Sequence, residues 1–285
     1  MRVYISVDME GISGLVRWPD VATKGLDYAR GRQFLTADVN AAIAGAFAAG
    51  ASEVIVEENH GVEDLCNVLM DEIDPRCSVI RGAGRPNSTT MAGLDARCGV
   101  VLLIGHHARA GSRPGIMAHT VSYEEFETVH CNGRPVGEPD LFAIRAGEFG
   151  VPIGMVSGDQ IVAEQVRAIA PLAEAVIVKR ALSNAAAECI PPLRAAPLIQ
   201  AGAERAVVRA MAGALAVYSS EPGPHDIEVI MRKPVTGTLA TNLAKLPEFT
   251  VSNERNVRTV AGNMDVGFRR IAYLGYATRI ATSKY

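Results

Sequence analysis

No stretch of this 285-residue chain approaches the roughly 20 uncharged residues that a membrane span needs. Its first residues, Met1 to Asp8, form an apolar run too short for a secretory signal and broken by an acid, so a cytoplasmic protein is expected. There is no Cys-x-x-Cys pair among the five cysteines (Cys66, Cys77, Cys98, Cys131 and Cys189), and their number is odd. A zinc ribbon and a disulfide framework both lack support, and reduced, mostly buried thiols are expected. There is no basic excess either: 28 Lys and Arg face 31 Asp and Glu, for a net charge of −3. That removes the electrostatic case for nucleic acid. No Gly-x-Gly-x-x-Gly or Walker-type loop follows the first apolar segment, and the acidic residues found there would repel phosphates, which counts against nucleotide binding. No internal repeat or low-complexity linker occurs.

What the chain has is apolar bulk. Apolar residues make up 48% of it, enough for one large domain or two ordinary ones. Arg2 to Val7, Glu53 to Glu57, Val100 to Ile104, Val151 to Val156 and Val176 to Val178 read as strands. Tyr28 to Ala49 and Glu138 to Phe149 read as helices, each stopped by a glycine, Gly50 and Gly150. Strands alternating with helices predict an α/β fold, a three-layer sandwich around a largely parallel sheet. Past residue 190 the texture changes. Pro191-Pro192 and Pro197 punctuate an Ala-rich helical stretch, Pro222-Gly223-Pro224 marks a turn, Asp226 to Arg232 reads as a strand, and Val266 to Ile280 is ambiguous. The expected division is a metal-binding α/β domain over 1–190 and a smaller α+β lobe over 191–285, contributing pocket and oligomer contacts.

The metal-capable side chains follow strand ends. Asp8 and Glu10 follow the first strand, Glu58-Asn59-His60 the second, and His106-His107 the third. In a parallel sheet these ends share one edge, where ligands bind. Two residues apart on extended backbone, Asp8 and Glu10 project to one side. One carboxylate can then bridge two ions while the other binds terminally. Imidazole and carboxylate suit zinc, and two ions ~3.5–4 Å apart activate a water and polarise a carbonyl together. Each piece alone has a plainer reading. Asp8-x-Glu10-Gly11 fits a turn, His60 a local hydrogen-bonding residue, and Glu138 an acid at a helix N-terminus. Of His106 and His107 only one faces the site, and periodicity does not say which. His119, in a loop opened by Pro114-Gly115, is either a surface residue or a catalytic group near the metals. His130 and His225 lack strand-end context and read as structural. Ser157-Gly158-Asp159 lines the same edge or makes only a strand-to-helix turn.

Taken together, Ser6-Val7-Asp8-Met9-Glu10-Gly11, His60, Gly105-His106-His107-Ala108-Arg109, Pro114 to His119 and Arg134-Pro135-Val136-Gly137-Glu138 resemble the D-aminopeptidase family of DppA type, peptidase family M55. Order and spacing agree over roughly residues 1 to 190. The resemblance implies a zinc-dependent hydrolase of short peptides with an N-terminal D-residue, holding two divalent ions per subunit in a ring-stacked homodecamer. It implies Asp8 as the bridge, Glu10 and His107 completing one ion site, His60 and Glu138 the other, and His119 as the catalytic histidine. Three segments depart from the family pattern: Glu58-Asn59-His60, a His107–His119 loop one residue longer, and Gln160 where an aspartate is common. These bear on substrate more than on catalysis. An amidase or lactam hydrolase acting on a non-peptide small molecule at the same site is the nearest alternative, and a non-catalytic metal-binding assembly protein is a more distant one.

Overall fold

A computed structural model describes residues 1–61, 64–85, 90–218 and 223–282. Pro222 of the expected turn lies outside them. Among the described residues a seven-stranded sheet contains β1 (Arg2–Val7), β2 (Glu53–Glu58), β3 (Ser78–Ile80), β4 (Cys98–Ile104), β7 (Ile153–Asp159), β8 (Glu174–Ala181) and β9 (Ala187–Cys189), in the order β3-β2-β1-β4-β7-β8-β9. All pairs are parallel except β8 with β9. A second, antiparallel sheet has the order β11-β12-β10-β5-β6, from β5 (Phe126–Cys131), β6 (Arg134–Pro135), β10 (His225–Met231), β11 (Thr250–Val251) and β12 (Asn256–Ala261). The helices are α1 (Trp18–Val21), α2 (Tyr28–Ala48), α3 (Glu138–Gly147), α4 (Gln160–Ile169), α5 (Pro192–Met211), α6 (Gly237–Leu243) and α7 (Met264–Thr282).

Alternation along the central strands builds two cores, as the period of two demands. Val3, Ile5 and Val7 face one side with Val100, Leu102 and Ile104, packed under α2 and α5. Tyr4, Val101 and Leu103 face the other, where α3, α4, α7 and the second sheet cover them. The fold is α/β with a mostly parallel sheet, as the apolar strands predict. The two sides of residue 190 exchange elements. α5, which starts at Pro192, packs on α2 and on β4, β7 and β8. From the earlier stretch, β5 and β6 pair into the second sheet with β10. No helix among the described residues is long and apolar enough to cross a membrane.

This topology fixes where the site forms. β1 lies between β2 and β4, with Val7 level with both Glu58 and Ile104. Backbone pairing continues past the strand ends, from Asn59 N to Val7 O (2.8 Å) and from Asp8 N to Ile104 O (2.9 Å). The chain segments carrying Asp8, His60 and His107 therefore leave the sheet side by side.

Candidate metal centre

The loop after β1 is pinned against the loop after β4. Gly11 N donates to Gly105 O at 2.7 Å. A Cβ on Gly11 would stand 2.0 Å from His106 O, and Gly105 has φ +72°, so both positions need glycine for the crossing. On the other side Lys179, from β8, is fully buried beneath the loop. Its ammonium donates to the carbonyls of Glu10 (2.6 Å), Ile12 (2.9 Å) and Leu15. Burial pulls the Lys179 pKa down to about 8. Sequence reasoning missed this residue; the signal was a lysine continuing the apolar run Ala175 to Val178. The loop is held a third time where Asp38 of α2, buried, accepts from Ser13 N (2.9 Å) and Ser13 Oγ (2.8 Å).

The six side chains singled out in the sequence, Asp8, Glu10, His60, His107, His119 and Glu138, come together, and all are buried. Asp8 is at the centre. Its Oδ1 is 3.3 Å from His60 Nδ1 and its Oδ2 is 3.3 Å from His107 Nε2. Glu10 Oε2 lies 3.2 Å from His60 Nδ1, and Glu138 Oε1 lies 3.4 Å from His107 Nε2. The resemblance implies Glu10 with His107 and His60 with Glu138; the side chains group otherwise. β2 and β4 flank β1 on opposite sides, so His60 and His107 reach the two oxygens of Asp8 from opposite sides, each with its own glutamate. Glu138 opens α3, and its Oε1 also accepts from Val121 N at 2.8 Å.

Hydrogen bonds to the far ring nitrogens set the tautomers. His60 Nε2 lies 2.8 Å from Val21 O, and His107 Nδ1 lies 3.0 Å from Ala108 O. A carbonyl only accepts, so those nitrogens carry the hydrogen. In the neutral rings, His60 Nδ1 and His107 Nε2 then present lone pairs to ionised carboxylates, which have no proton to donate to them. Three buried carboxylates facing two lone pairs call for cations. A metal-bound histidine characteristically donates its other N–H to a carbonyl, so the donor set fits two divalent ions. Without them, protons take that place. Burial lowers the affinity of His60 and His107 for a proton, but the charges of Glu10 and Glu138 and hydrogen bonds to Asp8 overcome it, leaving both pKa values well above the usual histidine range. Burial works against charge on Asp8 too, yet the hydrogen bonds from His107 and His60 hold its pKa well below the usual carboxylate value.

His106 points away. It packs edge-on against Phe142 at 5.5 Å, its Nε2 is 3.3 Å from Ser6 Oγ, and burial lowers its pKa. His119 stacks on His107, with centroids 4.0 Å apart and planes at 11°, and its Nε2 is 3.9 Å from Glu138 Oε1. Its Nδ1 is held by Met117 O at 2.8 Å, and burial lowers its pKa. The neighbouring candidates bond to groups outside the cluster. Asp159 caps α4 through Ile161 N and Val162 N and also accepts from Ile116 N. Gln160 bonds both backbone groups of Ala181. Glu58 accepts from Asn67 N and Val68 N, and Asn59 donates to Ser6 Oγ and Glu57. His130 and His225 belong to β5 and β10 of the second sheet.

A family model described as D-aminopeptidase, peptidase family M55, matches residues 1–272. The chain belongs to this family. A D-aminopeptidase of Bacillus subtilis (strain 168) is 37% identical to this family member over 199 residues, 70% of this chain and 71% of that protein. The solved structure of the Zn-dependent D-aminopeptidase DppA from Bacillus subtilis, described as a self-compartmentalizing protease, superposes with a TM-score of 0.88 at 27% identity, covering 100% of both chains.

Proposed function

We propose that this M55 family member is a zinc-dependent aminopeptidase that removes the first residue of short peptides, with a D-residue at that position, at a two-ion site, and that it works as a homodecamer enclosing those sites. The observation that carries the reading is two adjoining buried carboxylate–histidine groups, Asp8–Glu10–His60 and His107–His119–Glu138, with Asp8 3.3 Å from both His60 and His107. Asp8 Oδ1, Glu10 and His60 Nδ1 would hold one ion; Asp8 Oδ2, His107 Nε2 and Glu138 would hold the other. Two such ions supply Lewis acidity toward an amide carbonyl and acidify a water.

The chain's own residues do the rest. The hydrogen bond from Nδ1 to Met117 O leaves Nε2 of neutral His119 with a free lone pair beside Glu138. That nitrogen can take a proton from the attacking water and return it to the departing amine. Stacking on His107 keeps the imidazole in place while it does so. The family supports the D-residue preference, and the description of the Bacillus subtilis structure as self-compartmentalizing supports an assembly that encloses the sites.

The test is direct. Zinc-replete protein should hold two zinc ions per chain and release D-Ala from D-Ala-D-Ala faster than L-Ala from L-Ala-L-Ala. Fewer than one ion per chain under replete conditions would remove the metal-site reading. Turnover of simple amides without turnover of peptides would make the protein an amidase.

A further inference from the structure

An unbroken series of rings leads from the buried carboxylates to the surface, and the proposed chemistry uses only its inner half. Of the six site residues, His119 and Glu138 have the most exposed side chains, at 10% and 9%, so the site opens on their side. Trp18 meets His119 edge-on at 5.4 Å (65°) and lies 4.6 Å from the Tyr123 ring at 44°. Tyr123 is 46% exposed, and Trp18 is half-buried.

Both rings are held in place. Trp18 opens α1, whose Asp20 accepts from Val16 N and Arg17 N and pairs with the Arg17 guanidinium. Val21 of the same helix accepts from His60, so α1 is tied to the metal centre itself. Arg232 lays its guanidinium over Tyr123, 5.3 Å from the centroid, and Nε donates to Tyr123 O at 2.8 Å. Two large apolar faces kept partly in water beside a catalytic group are costly to leave uncovered unless something packs there.

We propose that Trp18 and Tyr123 form the wall that binds the side chain on the leaving side of the scissile bond. This rests on the aminopeptidase reading, in which His119 faces the departing nitrogen. A wall continuing outward from His119 then runs along the residue that carries that nitrogen. Its π faces suit an aromatic or large aliphatic side chain and give nothing to glycine. The enzyme accordingly prefers dipeptides whose second residue is apolar and bulky, and Trp18 and Tyr123 set that preference.

Zinc-loaded enzyme assayed on D-Ala-D-Phe and D-Ala-Gly tests this. The kcat/KM ratio between the two should fall about 3–10-fold in Tyr123→Leu, which leaves the ring packed on His119 intact, and again in Trp18→Leu, through KM rather than kcat. Trp18 is the chain's single tryptophan, so its emission reports on the wall without turnover. Titration with a phosphinic isostere of D-Ala-D-Phe should shift wild-type emission, and the same isostere of D-Ala-Gly should shift it less. If neither dipeptide is cleaved, the peptidase reading fails, and the emission still decides the wall. Equal loss of kcat on both dipeptides with KM unchanged, or emission indifferent to the side chain of the isostere, overturns the proposal.

Discussion

Replacing Lys179 with methionine keeps most of the side-chain volume and removes only the ammonium. Three carbonyls, of Glu10, Ile12 and Leu15, then lose their donor in a place water does not reach. Hydrogen bonds from a charged group contribute ~1.5–3 kcal/mol each, so the gross loss is roughly 5–9 kcal/mol. Relief of the buried charge returns several kcal/mol of this, for a net destabilisation of about 2–4 kcal/mol. The loop that carries Glu10 loses its floor, and supporting residues of this kind typically change metal affinity 10–100-fold. Urea unfolding of metal-free protein measures the first effect, and zinc competition against a chromophoric chelator measures the second. Ile199→Ala serves as the control: it empties a fully buried position on α5 and should cost ~2–5 kcal/mol without changing zinc affinity. A folded Lys179→Met protein with wild-type zinc affinity would refute the reasoning, as would an Ile199→Ala protein that loses zinc to the same degree.

His119→Ala is expected to keep both zinc ions and lower kcat by roughly 10²–10⁴-fold; metal analysis showing one ion lost would make His119 a ligand instead. Asp8→Ala should lose both ions, whereas His60→Ala should lose one and retain the ion held by His107 and Glu138; retention of both ions without Asp8 would end its bridging role. Burial raises the carboxyl of Asp38 to about 6, against the opposing hydrogen bonds from Ser13. A folded-state pKa raised above the unfolded value of 3.8 gives stability that is present below about pH 4 and lost as pH rises through 6. The difference in unfolding free energy between wild type and Asp38→Asn should therefore drop by about 3 kcal/mol from pH 3.5 to pH 7.5. A difference that stays flat across that window would show Asp38 to be ionised as readily in the fold as in the open chain.

The candidate site was legible because strand ends in a parallel sheet share an edge, so apolar runs placed Asp8, Glu10, His60 and the pair His106-His107 there, and the family resemblance singled out His107. The grouping of carboxylates was not, since it depends on which flank of β1 each neighbour occupies, and strand order is not written in local pattern. The second sheet was hidden for a similar reason: Phe126 to Cys131 mixes polar and apolar residues, and its partner β10 lies about a hundred residues on. The ambiguous stretch from Val266 to Ile280 lies within α7, where Gly267 and Gly275 interrupt an otherwise helical pattern. Lys179 was overlooked because β8 runs on to Ala181, three residues beyond its apolar stretch. A charged residue inside a buried parallel strand is itself a sign of a polar duty on the sheet's edge.

The central position of Asp8 has a kinetic consequence. His60 and His107 reach Asp8 from the loops after β2 and β4, and Glu138 reaches His107 from the start of α3. No short piece of the chain holds a complete ion site, so the tightest binding geometry exists only after β2, β1 and β4 have assembled in order. Long-range parallel pairing is the slow part of folding. Zinc should accordingly leave the refolding rate nearly unchanged and slow unfolding, turning a reversible fold into a persistent one, visible as a shift confined to the unfolding limb of the denaturant chevron.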